Sequence, residues 1–136
     1  MRPMVLATIL TVATPAFAQA ETAWSAFLSY CLTPMSYVQP VVLDGVGTLE
    51  DGVHRLDGDI LISQPEPYLC QVQGPDLNQP ALAWLSKKLA EDQYSIEERD
   101  GNGFTVRSTF WREPVLRVVY DPESNLIVVE ETVEEA

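Results

Sequence analysis

The stretch that decides the fold runs from Tyr94 to Thr132 and reads YSIEERDGNGFTVRSTFWREPVLRVVYDPESNLIVVEET. Apolar and polar residues alternate within short runs, as they do in strands that bury one face. Segments rich in Gly, Pro, Asp and Asn separate these runs at 100–103, 112–114 and 121–125. The Gly and Asn of the first segment tolerate the positive φ of a tight hairpin. The stretch therefore predicts a meander of four antiparallel strands.

Two amphipathic helices are predicted upstream of this meander. The first lies within 21–32, carries its apolar residues at helical spacing, and is expected to end at Pro34. The second lies within 74–93. The residues that define the apolar faces of these two helices are Trp24, Phe27, Leu28 and Cys31 in the first and Ala81, Leu82, Leu85 and Leu89 in the second.

Short strands are predicted between the two helices. Asp57-Gly58 is a two-residue hairpin signal that joins the runs 53–56 and 59–62. Residues 68–72 alternate in the same way and place Cys70 on an apolar face. The fold class is therefore α+β, with two helices packed on antiparallel meanders in the order helix, strands, helix, four strands.

An internal duplication is an alternative that the sequence leaves open. Ala23-Trp24 and Ala83-Trp84 each lie near the beginning of a predicted helix, and hairpins follow each helix. Two shared residues do not establish a repeat. The expected organisation is one domain over 19–136, ending in a frayed acidic C-terminus.

Residues 1–18 have the layout of a cleaved signal peptide. One Arg precedes an apolar run from Met4 to Ala13, and small residues follow Pro15. The run of ten residues is short of the roughly 20 needed to span a bilayer, which argues against the alternative of a membrane anchor. Cleavage after Ala18 is favoured over cleavage after Ala20. We therefore expect a periplasmic or secreted protein.

Cys31 and Cys70 are the two cysteines of the chain. In an oxidising compartment two cysteines usually pair, and these two lie on the apolar faces of a helix and a strand. A redox or metal-binding pair is the alternative, but the chain has no Cys-x-x-Cys motif and a single His. We predict a disulfide that stabilises the fold by about 3 to 4 kcal/mol.

The mature chain is strongly acidic. Removing residues 1–18 takes away one Arg and no acid, which changes the formal charge from −12 to −13. Such a charge disfavours nucleic acid and anionic membranes as partners and favours a basic protein of the periplasm or exterior. Excess acid also keeps a small exported protein soluble, and that is the simpler explanation.

Catalytic and metal-binding patterns are weak. His54 is the single histidine, and no Ser lies in a Gly-x-Ser-x-Gly setting. The run from Glu98 to Gly103 begins like an EF-hand loop, but Thr109 stands where that loop needs a bidentate Glu. No catalytic residue, metal or cofactor is predicted.

The expected function is that of a non-enzymatic binding or inhibitor module for a protein partner. Trp84 and Trp111 are the predicted partner contacts, because exposed aromatic side chains often anchor interfaces. The alternative is a small periplasmic hydrolase or carbohydrate-active enzyme that uses acids such as Asp57, Asp59 or Glu113. That chemistry requires two carboxylates facing each other across a cleft.

We predict that the mature protein begins at Gln19 and fractionates with soluble proteins. The intact mass of the exported protein measures this directly. A mass that retains residues 1–18, together with recovery in the membrane fraction, would contradict both the cleavage site and the localisation.

Overall fold

The computed structural model describes residues 22–78, 81–110 and 114–132, apart from the side chains at positions 81 and 82. It shows an α+β fold built on one antiparallel sheet of eight strands. The helical segments are α1 (Ala23–Ala26), a π-helical turn (Phe27–Leu32), α2 (Thr33–Ser36), a 3-10 turn (Pro75–Leu77) and α3 (Ala81–Glu91). The strands are β1 (Thr48–Glu50), β2 (Val53–Leu56), β3 (Ile60–Glu66), β4 (Leu69–Gln73), β5 (Tyr94–Asp100), β6 (Gly103–Ser108), β7 (Leu116–Asp121) and β8 (Leu126–Glu131).

The sheet joins two meanders rather than keeping them apart. Its strand order is β1-β2-β3-β4-β8-β7-β6-β5, so β4 of the first meander pairs with β8 of the second. In that pairing Cys70 lies opposite Val129, and Val72 lies opposite Ile127. All four of these side chains are fully buried, and they form the centre of the core. The sequence predicted the antiparallel meanders but not this junction.

The first helix is held at its N-terminus by two sets of contacts. Thr22 and Ser25 form a capping box, in which each side chain accepts a hydrogen bond from the other's backbone N–H. The Asp76 carboxylate also accepts hydrogen bonds from the N–H groups of Ala23, at 2.7 Å, and Trp24, at 3.3 Å. A carboxylate is favoured at this end because of the helix dipole. These contacts fix the start of the helix against the turn after β4.

The first helix continues past the predicted end at Pro34, which corrects that expectation. Its middle is a π-helical turn, and the Thr33 N–H bonds to Leu28 O. Pro34 then falls in the first turn of α2, where a missing N–H is tolerated. The first part of the segment from Thr33 to Pro40, where the sequence predicts no helix, is therefore helical to Ser36.

Two strands have features that the sequence did not specify. β1 has three residues, all of them exposed, which is too short a run for a periodic pattern. β3 extends through Pro65 to Glu66, within the passage from Gln64 to Pro67 that the prolines were expected to make extended or turning; the ladder with β4 shifts register between Ser63 and Glu66. Proline is tolerated at such an irregularity because its missing N–H breaks no regular ladder bond.

The predicted pairing of Cys31 with Cys70 is confirmed. The disulfide joins the π-helical turn to the central strand β4, with the Cα atoms 5.6 Å apart and both residues fully buried. It closes a loop that contains the end of the first helix, from Cys31 to Ser36, and the first three strands. The bond is consistent with an oxidising compartment; export itself stays a prediction.

We expect the double substitution Cys31→Ala and Cys70→Ala to lower the free energy of unfolding by about 3 to 4 kcal/mol, because the unfolded chain regains the entropy of the open loop. Chemical denaturation measures this loss. In the native wild-type protein, a maleimide added without reductant should label neither cysteine. Labelling of both, or an unchanged denaturation midpoint in the variant, would contradict a structural role.

Candidate binding groove

Three of the six exposed large apolar side chains that the structure describes lie around the end of the first helix. Tyr37 is 46% exposed, Val38 is 69% exposed, and Tyr68 is 66% exposed. Each of the three lines one or both of two neighbouring pockets. The other exposed large apolar residues that the structure describes are Val42, Leu49 and Phe110. Exposed aromatic and aliphatic side chains gathered in one place are typical of an interaction site.

The first pocket is called here the proline-lined groove. It lies between the chain that leaves the first helix and the turn that joins β3 to β4, and its cavity volume is about 670 Å³. Its lining residues are Met35, Val38, Gln39, Pro40, Val41, Gln64, Pro65, Glu66, Pro67, Tyr68 and Glu131. Three prolines restrict the backbone of its walls, so little conformational entropy remains to be lost on binding.

The second pocket, called here the apolar pocket, adjoins the groove along Val38 and Gln39. Its cavity volume is about 680 Å³. It is lined by Ser29, Thr33, Pro34, Ser36, Tyr37, Val38 and Gln39, none of which carries a charge. The two pockets are called here together the depression; they meet at Val38 and Gln39, and one described lining is uncharged while the other contains two acids.

Val38 forms the ridge between the two pockets in a strained backbone conformation. The Val38 N–H bonds to Met35 O at 3.2 Å, and the Gln39 N–H bonds to Pro34 O at 2.8 Å. These are the two bonds of a Schellman motif, whose C′ residue is usually Gly because it has a positive φ. Val38 occupies that position with φ 56°. A β-branched residue there is unusual, and such strain is concentrated at functional sites.

A buried hydrogen-bond chain fixes the floor of the apolar pocket. The Tyr94 hydroxyl donates to Ser36 Oγ at 3.0 Å, and the Ser36 hydroxyl donates to Thr33 O at 2.9 Å. Burial raises the pKa of Tyr94, so its hydroxyl is neutral and donates at physiological pH. These hydrogen bonds attach the end of the first helix to the start of β5. A neutral Tyr hydroxyl is not a base, so Tyr94 does not activate Ser36 as a nucleophile.

The opposite wall of the groove is fixed around Tyr68. The Gln64 side-chain amide donates to Pro67 O at 3.0 Å, and the Glu131 N–H donates to Tyr68 O at 3.0 Å. Both flanks of the turn are therefore held while the Tyr68 ring is exposed. A fixed backbone with an exposed ring is the arrangement of a preorganised contact residue.

The charge around the groove has one sign. Glu66 and Glu131 are the charged residues of its lining. The last turn of α2 contains no basic residue, and its carbonyl groups at Thr33, Pro34 and Met35 accept hydrogen bonds from the backbone that follows.

The described basic side chains lie elsewhere. Three of them pair with acids: Lys88 with Glu91 at 4.0 Å, Arg107 with Glu97 at 3.2 Å and Arg117 with Asp100 at 3.6 Å. These pairs lie on α3 and on β5 to β7, away from the groove lining. The groove is therefore a place of negative potential with apolar walls.

Other residues singled out by the sequence lie apart from the groove. His54 is half-buried, and its Nδ1 lies 2.9 Å from Val46 O, so its ring supports the loop before β1. Asp57 and Asp59 flank the β2–β3 turn, and Glu113 lies outside the described residues. Within the part of the chain that the structure describes, no group of three His, Cys, Asp or Glu side chains is arranged to hold a metal.

Trp84 lies within an aromatic cluster. Its ring centroid is 5.8 Å from that of Trp24, edge to face, and 5.4 Å from that of Tyr120. Trp24 in turn donates from Nε1 to Asp92 at 3.1 Å. Trp84 is half-buried, so these contacts indicate a packing role while part of the ring faces solvent. Trp111 lies outside the described residues.

The groove residues were not predicted as a site. Their signal in the sequence is the proximity of Tyr to Pro in two separate connectors, Tyr37 to Pro40 and Pro65 to Tyr68. Each connector alone is typical of an ordinary turn. Only the approach of the two segments in space makes them a site.

Comparisons with known proteins give no match: no protein-family model, curated protein or solved structure is significantly similar to this chain. Among the described helices, none combines the length and the apolar composition that crossing a bilayer requires.

We expect Val38→Gly to raise the free energy of unfolding by about 0.5 to 1 kcal/mol, because the strain of a left-handed L-residue exceeds the entropy that Gly adds to the unfolded chain. Urea denaturation measures the change. Val42→Gly is the matched control, since Val42 is also exposed and is not among the residues with positive φ; it should lower stability. Equal losses in both variants would contradict the strain at Val38.

Proposed function

We propose that this chain is an exported, acidic, non-enzymatic binding or inhibitor module for a basic protein partner, and that the partner docks at the proline-lined groove. The observation that carries the proposal is that the exposed side chains of Val38 and Tyr68 line the groove together with Glu66 and Glu131, the charged residues of its described lining, while exposed Tyr37 lines the adjoining apolar pocket. Apolar side chains contribute affinity when they are desolvated, and the acids select the sign of the partner's charge.

The overall charge supports the same partner. A mature charge of −13 repels anionic surfaces and attracts a cationic protein over a distance of about 8–10 Å at physiological salt. This attraction accelerates the encounter, whereas the apolar contacts determine how long the complex lasts.

The arrangement of the acids favours binding over hydrolysis. Asp57 and Asp59 belong to one tight turn and do not face each other across a cleft, which glycoside hydrolysis requires of its two carboxylates. Glu66 and Glu131 instead line a groove with apolar walls, a setting suited to holding a cationic side chain.

Trp84 and Trp111 remain part of the proposal as further partner contacts. The exposed part of Trp84 supports a contact on the helical side of the molecule, at a distance in sequence and fold from the groove. Its packing on Trp24 and Tyr120 means that a Trp84→Ala variant needs a stability measurement before any binding result is interpreted.

We also propose that the two halves of the chain are similar. Each half consists of a helical segment followed by four strands, and the halves meet where β4 pairs with β8. Trp24 and Trp84, the residues that suggested a duplication in the sequence, lie in contact. Only the first half contributes the helix end and the Pro-rich turn of the groove.

We expect the double variant Glu66→Gln, Glu131→Gln to release a basic partner about tenfold faster than the wild type, because two acids facing the bound cation are lost. The partner is captured from periplasmic extract at low salt and purified, and its binding kinetics are measured by surface plasmon resonance. Raising the salt concentration should slow association far more than it accelerates dissociation.

The control is Glu98→Gln, Glu123→Gln, which has the same net charge and leaves the groove intact. Both control acids are exposed, one on β5 and the other in the β7–β8 turn. The control should slow association as much as the groove variant and leave dissociation unchanged. Equal dissociation rates in the two variants would show that the groove does not contact the partner. The absence of any captured basic protein would contradict the proposed function.

A further inference from the structure

The two halves of the depression differ in the chemistry that they offer a ligand. Among the described residues, the apolar pocket is lined by hydroxyls, Pro34, Tyr37 and Val38 and by no charged side chain. The described lining of the proline-lined groove adds Glu66 and Glu131 and contains no basic side chain. Val38 and Gln39 belong to both. A ligand that fills the depression therefore needs an apolar group next to a cationic group.

The groove offers a cation several favourable contacts at once. Two carboxylates accept charge-assisted hydrogen bonds, which an Arg guanidinium makes in pairs because its donors form a planar fork. The exposed ring of Tyr68 belongs to the same lining and offers an aromatic surface for a cation. Arg suits this combination better than the more compact Lys.

The walls of the depression favour an extended segment. Pro34, Pro40, Pro65 and Pro67 alternate with Tyr37 and Tyr68 around it, and grooves lined by aromatic residues recognise extended polyproline-type peptides. In an extended chain, side chains two or three residues apart point to the same side. An apolar residue and a basic residue at that spacing reach the two halves together.

Resting on the function proposed above, we infer that the element recognised is an extended segment of the partner, with an apolar residue that occupies the apolar pocket and an Arg, two or three positions away, that pairs with Glu66 and Glu131. Val38 lies between the apolar side chain and the Arg side chain of the bound segment. Its left-handed backbone places a β-branched side chain on this ridge, 69% exposed, where a Gly would leave no side chain to contact the ligand.

The test uses a synthetic peptide, acetyl-Gly-Ser-Leu-Pro-Pro-Arg-Ser-Gly-amide, titrated into the mature ¹⁵N-labelled protein. The amide resonances of Val38, Gln39, Tyr68 and Glu131 should shift on titration. Replacing the peptide Arg by citrulline, which keeps the shape and removes the charge, should weaken binding about tenfold, and replacing the Leu by Ser should weaken it by a similar factor.

A mutant cycle assigns the Arg to its partners. The Glu66→Gln, Glu131→Gln variant should bind the Arg peptide as weakly as the wild type binds the citrulline peptide. Replacing Arg by citrulline should not weaken the affinity for this variant any further. Against Glu98→Gln, Glu123→Gln the preference for Arg should persist. Val38→Gly should weaken both peptides although the variant is more stable, which separates a contact role from a folding role. Each variant's amide spectrum establishes that it is folded.

Equal affinity for the Arg and citrulline peptides, shifts confined to residues outside the two pockets, or no binding at millimolar peptide would overturn the inference. If the peptides fail while release of the captured protein still depends on Glu66 and Glu131, the groove binds a folded surface, and the proposed function stands without the inference. If the peptides bind as expected but no basic protein is captured, the chemistry of the groove is right and the partner is not a basic protein.

Discussion

The structure depends on the pairing of β4 with β8. Each meander alone would leave an unpaired strand edge and the apolar residues beside it exposed to water. The central pairs Cys70–Val129 and Val72–Ile127 join the two meanders into one sheet with one buried face. The Cys31–Cys70 disulfide attaches the first helix to that junction. The position of the helix relative to the sheet depends on this connection together with the Asp76 cap and the Tyr94–Ser36 hydrogen bond.

The groove is a consequence of where that helix ends. The disulfide and the Asp76 cap fix the helix axis, and the Tyr94–Ser36 hydrogen bond fixes its end over the start of β5. The chain then has to reverse beside the β3–β4 turn, and the Schellman motif makes the reversal with a Val in place of the usual Gly. Retaining Val38 there has a cost in stability and keeps an apolar side chain exposed, a combination that folding alone does not explain.

The distribution of charge matters more than its total. Arg107 and Arg117 pair with acids on the second meander, which reduces the negative potential there. Among the described residues, the groove lining contains Glu66 and Glu131 and no basic residue. The formal net charge of −12 predicts attraction to cations in general. What distinguishes the groove from the other acidic places on the surface is that its acids lie in one lining with exposed Val38 and Tyr68.

The sequence by itself determined what depends on local pattern: the alternation and turns from Tyr94 to Thr132, the apolar face that carries Cys31, and the acidic charge. It also placed the β2–β3 hairpin, although the turn has three residues, 57–59, rather than the two expected. These are encoded in neighbouring residues, so periodicity and turn chemistry suffice. The tertiary structure decided which strands meet, that the first helix continues through Pro34, and that Tyr37 and Tyr68 lie beside adjoining pockets. Those features depend on contacts between residues about 30 to 60 positions apart, and no local pattern specifies which distant surfaces bury each other.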